Sequence, residues 1–289
     1  MKLLPRIPIL TWLCMMLSAQ LFAQAPPQQE LRDCLLLEKQ ARFDEAISAG
    51  MAAISSGQLT EVELGRGYIL VGFAYHQKGN FSDAHAAFEH SLRIFEHDPE
   101  HLSDYAAALN DYGALYGDAG QLDVAEAMWG KALHLRQQIG DHAAAMRSLT
   151  NLAQAALAQK RLHQAAEYLK KASVELKSAR DLTDDDFALF FESQAWLALS
   201  EGHSSAAVDD FQRALDICRR TRGEDHWLTG WEYILRGKAY AQSGNLNASL
   251  ADMREGLIIL DRALGRKSLK YLAAQLAYSQ ILDRSGSHA

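Results

Sequence analysis

The stretch Glu96-His97-Asp98-Pro99-Glu100-His101 offers the best set of metal-ligating side chains in the chain. Imidazole and carboxylate are suitable zinc ligands. Stacking His97 over His101 would need a continuous helix, however, and Pro99 breaks one. The stretch reads as a charged, solvated connector, and no metal is assigned. Thr183 precedes Asp184, Asp185 and Asp186. This run complements the positive end of a helix and lacks the form of a calcium loop. Gly130-Lys131 and Gly237-Lys238 lack the upstream glycine and the following hydroxyl of a phosphate-binding loop. Gly65-Arg66-Gly67 lacks a third glycine and a preceding strand. No H-E-x-x-H and no G-x-S-x-G is present. Asn80-Phe81-Ser82 and Asn247-Ala248-Ser249 have the form of glycosylation sequons but fit ordinary turns. His85 and His90 flank Phe88 and read as surface or groove positions. These patterns predict no catalysis and no cofactor, so function must reside in a surface.

The elements that form this surface are clearest in residues 106–139. Leu109, Tyr112, Gly113 and Tyr116 share one helical face, and Asp118-Ala119-Gly120 ends it. Leu122, Ala125, Trp129 and Ala132 share a face of the next helix. Large residues thus meet small ones, which lets two backbones approach closely. A helix pair this short cannot bury such faces alone and needs neighbours of the same kind.

Such neighbours recur along the chain. A turn pattern of Gly, any residue, an apolar residue, two residues and Ala ends at positions 46, 84, 125, 165, 207 and 249, with steps of 38, 41, 40, 42 and 42. Lys160 and Ala41 replace the glycine in two copies, Ser204 stands at the apolar place of a third, and Ser249 replaces the alanine of a fourth. The first helices share a small-residue column, Cys34, Gly72, Gly113, Ala153, Ala195 and Gly237. The second helices share a large one, Gly50, Phe88, Trp129, Leu169, Phe211 and Met253, then a small one, Ala53, Ser91, Ala132, Ala172, Ala214 and Gly256.

These columns resemble the tetratricopeptide repeat across about residues 28–286. The longer steps and the connector Gly223-Glu224-Asp225-His226 are similar to the kinesin light chain type, whose helices are extended. Asn110 and Asn151 fall near that subtype's asparagine-rich turn. The resemblance implies an all-α, right-handed α-solenoid of stacked antiparallel helix pairs. Expected units are 31–60, a degenerate first repeat, then 61–98, 102–140, 142–180, 184–222 and 226–265. Residues 268–286 are expected to form a solvating terminal cap.

The same resemblance implies a concave groove lined by first helices, with a protein or peptide as partner. It places Arg66, Ile69, Phe73 and His76 there, then Asn110 and Ala114, then Arg147, Thr150 and Gln154. Glu192, Trp196, Trp231, Ile234 and Lys238 complete the set. Aromatics and arginines dominate binding hot spots; the other reading of Trp196 and Trp231 is packing against the next unit. An architectural subunit that stacks end to end is the alternative function.

With 48% hydrophobic residues, 22% charged residues and only 5 prolines, the chain can build a sizeable core. Its net charge is −7, so no nucleic acid is expected; the sequence offers no convergent polar pocket, so no small-molecule substrate is expected either. Residues 1–23 combine Lys2 and Arg6, an apolar run from Ile7 to Leu17 and a small-residue cleavage region, the pattern of a secretory signal. Cleavage is expected after Ala23, with Ala25 as the competing site, and residues 24–30 read as a spacer. An exported protein, periplasmic or secreted and of bacterial type, is expected; membrane contact requires that the leader be retained. Removing it leaves 27 basic against 36 acidic residues, a net charge of −9. Cys34 and Cys218 then remain, in the first and fifth units. Helix spacings of about 8–10 Å put them well beyond the roughly 7 Å Cα limit of a disulfide and predict two free thiols.

Overall fold

The computed structural model describes residues 26–286. They form thirteen helices and no strand: α1 Pro27–Lys39, α2 Phe43–Ser55, α3 Glu61–Gln77, α4 Phe81–Phe95, α5 Leu102–Asp118, α6 Leu122–Gln138, α7 His142–Ala158, α8 Leu162–Ser178, α9 Asp184–Ser200, α10 Ser204–Arg222, α11 Trp227–Gln242, α12 Leu246–Leu264 and α13 Leu269–Ser285. Successive pairs, α1–α2 to α11–α12, are the six units, and α13 is a seventh first helix. The helix α1 begins earlier than the sequence implied. Pro27 opens it, as proline can where its missing N–H costs nothing, so residues 27–30 are helix and not spacer. The proposed leader lies outside the described residues.

Caps fix the helix ends. Thr60 and Glu63 form a reciprocal capping box on α3, and Thr183 with Asp186 forms another on α9. Asp186 thus serves as a cap. Asp98 likewise holds the His101 ring at 2.7 Å across the connector between α4 and α5. Asn80 and Asn245 cap α4 and α12.

Each turn between the two helices of a unit needs one residue with positive φ. Ala41, Gly79, Gly120, Lys160, Gly202 and Gly244 supply it, with φ between 57° and 85°. Four are glycine, for which this conformation is unstrained.

Within each unit the small column meets the large one. A β-carbon on Gly72 would stand 2.9 Å from Phe88, one on Gly113 2.7 Å from Trp129 Nε1, and one on Gly237 3.1 Å from Met253. Ala153 packs with Leu169, and Ala195 with Phe211. In the first unit the roles shift. Gly50 meets Val71 of the next unit and Cys34.

The superhelix closes on itself. Leu264, at the end of α12, packs into the cluster of Cys34, Phe43, Ala46 and Ala74. Leu269 lies 3.5 Å from where a Gly79 β-carbon would be. Lys39 of α1 shares a cavity with Asp184, Thr221, Arg222 and His226 of the fifth and sixth units. The connectors of units five and six therefore rest on the turns of units one and two. The array is curved, so helix spacing alone does not set the separation of Cys34 and Cys218. Cys34 and Cys218 nonetheless form no disulfide, each being buried in its own cluster. Cys34 lies with Phe43 and Ala46, and Cys218 with Ala188, Ala214 and Ile217.

Replacing Gly113 by Leu should cost about 1–3 kcal/mol by overpacking, and Trp129 by Ala about 3–5 kcal/mol through a cavity. Lys160→Gly should stabilise by about 0.5–1 kcal/mol, because it relieves a strained left-handed backbone. Thermal melts of the three variants test the helix register. Unchanged melting in all three would exclude it.

Candidate functional site

The first helices line the inner wall, where charged groups from successive units converge. Arg66 of α3 grips Asp104 of α5 with two bonds of 2.8 and 2.9 Å. Arg147 of α7 lies 3.4 Å from the buried Asp186 of α9. Both arginines stand six residues before their unit's small column, and both acids nine residues before that of the next unit. Trp231 and Lys270 occupy the same two places in α11 and α13, with the ammonium 4.4 Å from the ring centre. One lateral contact thus recurs along the wall as two ion pairs and one cation–π pair. The charges of Arg66 and Arg147 are largely committed to these internal contacts.

Other expected groove residues are held within the wall. His76 is buried, with Nε2 3.0 Å from Asp118 Oδ2. Asn110 accepts from Arg136 at 3.1 Å and Asn151 at 3.2 Å, while its carbonyl accepts from Trp129 at 2.9 Å. Thr150 is fully buried. Ile69 and Phe73 are half-buried, and Phe73 packs on the Cys34 cluster. Ile234 is a correction. It is 0% exposed and would lie 2.7 Å from a β-carbon on Gly256. It belongs to the core between α11 and α12 and cannot meet a partner.

Gln154, Trp196 and Lys238 each follow the small column by one residue and lie side by side. Gln154 donates to Ser193 at 3.1 Å. With Leu157, Ala158, Trp196 and Ser200 it lines an open cavity of about 350 Å³. Trp196 is half-buried and meets Phe211 edge-on at 5.5 Å. Lys238 Nζ stands 5.6 Å from both the Trp196 and Trp231 rings. Trp196 also donates to Glu192.

Glu192 and Glu232 form one acid cluster. Glu232 is 3% exposed and its Oε2 has no hydrogen-bond partner. Burial, then the charge of Glu192, pushes the Glu232 carboxyl well above the usual range, against the pull of Lys270. Burial raises Glu192 too, opposed by Lys270, the Trp196 bond and Lys238. Burial and the neighbouring Lys270 charge hold the Lys238 ammonium below its ordinary value, while Glu192 opposes them.

A second acid pair crosses the wall. Burial, reinforced by Asp111, raises Glu38 of α1 to about 8, and Cys34 hydrogen-bonds it at 3.9 Å. Burial raises Asp111 against its bond from Asn110 and the charge of Arg136. Burial, helped by Arg147, lowers Arg136 to about 10; this guanidinium donates to the Ala144 carbonyl at 2.9 Å and Ser148 at 2.7 Å.

The sequence reading missed Glu38, Asp111, Arg136, Glu232 and Lys270. Only Lys270 had a usable signal. Carrying the register into α13 sets it in the column of Asp104 and Asp186. The others depend on contacts between nearby units and on an inward tilt that spacing does not record. Among the described residues no group of three or more His, Cys, Asp or Glu is arranged to hold a metal. No described helix is long and apolar enough to cross a membrane.

Family models of the tetratricopeptide repeat match residues 104–173 and 195–228. Tetratricopeptide repeats are therefore present in the chain, and the fold is the right-handed α-solenoid they build. Among solved structures, it is similar to the Rap conjugation gene regulator of plasmid pLS20 in complex with the Phr* peptide, with TM-score 0.63 and 14% identity over 90% of this chain and 75% of that one. The apo form of RapI gives TM-score 0.59 at 13% identity, covering 90% and 98%. BtubC from P. vanneervenii gives 0.54 at 15%, covering 80% and 92%. No match was found among curated proteins. These identities establish likeness of fold alone.

Glu38 provides a pH test. Its folded pKa lies above its unfolded value, so folding binds a proton between about pH 4.5 and pH 8 and stability falls as pH rises through that window. Glu38→Gln should raise stability at pH 8 by on the order of 1–3 kcal/mol and leave it nearly unchanged at pH 4. Equal gains at both pH values would show that burial of Glu38 does not oppose its charge.

Proposed function

We propose that the chain is a non-catalytic scaffold that holds a protein or peptide segment on its concave wall. One observation carries this reading: Trp196 borders an open, mainly apolar cavity on the inner wall, with Lys238 beside it. Half-buried indoles beside a cavity supply contact area at little entropic cost, as hot-spot residues do. The indole faces already carry the protein's own ammonium groups, so the wall offers positive charge to an incoming ligand. Burial opposes the charge of both Glu192 and Glu232, which weakens the acids that face Lys238 and Lys270. A suitable segment would place a large apolar side chain in the cavity and a carboxylate, from a side chain or a chain terminus, toward the lysines. The relative solved with a bound peptide makes such a ligand a natural one for this architecture. The leader pattern of residues 1–23 and the longer repeat steps belong to the same reading. They give an exported scaffold, periplasmic or secreted, of the kinesin light chain repeat type.

Affinity capture of the mature chain from an envelope fraction supplies the partner. Trp196→Ala or Trp231→Ala should then weaken binding by about 2 kcal/mol or more. Lys238→Glu should mainly slow association and change its salt dependence. Because Trp196 also packs on Phe211, each variant's melting curve accompanies the binding curve. Folded variants that bind the captured partner normally would exclude the inner wall as the working surface.

A further inference from the structure

The terminal helix α13 was expected to be a solvating cap, yet its outer face is apolar. Leu272 and Leu276 are 48% and 60% exposed, with Ser279 also exposed. Their meaning comes from the register. Ser279 stands in the small column of Gly72, Gly113, Ala153, Ala195 and Gly237. All of those are buried beneath their own unit's second helix. Leu272 stands in the column of Gly65, Ala106, Met146, Ala188 and Gly230, likewise buried. Leu276 stands where Ile234 meets Gly256. The opposite side of α13 is satisfied. Ala274 and Ile281 are buried against the α11–α12 core. The exposed stripe therefore continues the interface that the six units make between first and second helices. Among the described residues α13 has no second helix.

The geometry points to a second docking site on α13 that takes one amphipathic helix of a partner protein, in the position and direction that the second helix takes in each of the six units. Its chemistry follows from unit six. There Met253 packs on Gly237, Gly256 on Ile234 and Gly230, and Ile259 on Gly230. The same places on α13 are Ser279, Leu276 and Leu272. The partner helix must run antiparallel to α13. It should carry a large apolar residue over Ser279, a small one three residues later over Leu276, and another small one three further on. The last must be small because Leu272 fills space that Gly230 leaves open. The second helices of units two, three, five and six, whose column runs through Phe88, Trp129, Phe211 and Met253, carry Ile94, Leu135, Ile217 and Ile259 at that last place. These are too bulky, and a second copy of this chain is a poor occupant. The site is separate from the tryptophan wall and does not depend on it.

The probe is a labelled peptide with the sequence of residues 246–264 carrying Ile259→Ala, titrated into the full chain and read by fluorescence anisotropy. Saturable binding is expected. It should weaken at least ten-fold with the chain variant Leu272→Glu/Leu276→Glu. It should weaken similarly with Ser279→Trp, which fills the hole without adding charge. Exchanging Met253 and Gly256 within the peptide should have the same effect, since composition is kept and register lost. Circular dichroism melts identify any variant that is not folded. Three outcomes would overturn the proposal: no saturable binding, equal binding by the folded variants, or a concentration-dependent dimer that Leu276→Glu dissociates and the peptide does not.

Discussion

Everything in this molecule depends on how closely two helices of one unit can approach. Gly72 beneath Phe88, Gly113 beneath Trp129 and Gly237 beneath Met253 leave no room for a β-carbon without displacement. A small residue on one helix and a large one on the other set the separation and rotation of each pair. Because the same pair of columns recurs, each unit is placed on the next with nearly the same rotation. The curvature of the wall, and the distant groups it gathers, follow from that repetition.

The inner wall carries the same logic into polar chemistry. A residue six before the small column reaches one nine before the small column of the next unit. Two units use this contact for arginine–carboxylate pairs, and the sixth uses it for a tryptophan under a lysine. Geometry is conserved along the array while chemistry changes. The carboxy-terminal half of the wall thereby becomes aromatic. It also holds the buried Glu232 beside Glu192.

Helix pairs, turn positions and facing columns were legible in the sequence because they rest on local spacing. The same spacing also located Gln154, Trp196 and Lys238, which lie together. It misjudged Ile234, because a residue three before the small column can tilt toward either the groove or its own second helix. At Ile234 the open space above Gly256 decides for the core. It was silent on Glu38 and Asp111. These meet across three intervening helices, because successive first helices lie side by side on the inner wall, and no local window of sequence spans that contact. The apolar stripe of α13 is present in the letters, but local spacing alone does not distinguish it from a cap. Its meaning appears only when each residue is compared with its buried counterparts in earlier units.

The seam between Leu264 and the Phe43 cluster changes the boundary conditions of the array. An open row of repeats behaves as a linear chain of nearest neighbours whose ends fray independently. Here the first unit, the weakest match to the repeat and the one without a large residue at Gly50, borrows a neighbour from the sixth. Fraying at one end then removes support from the other. The loosening of the first unit and that of the end of α12 are thereby coupled through one apolar contact.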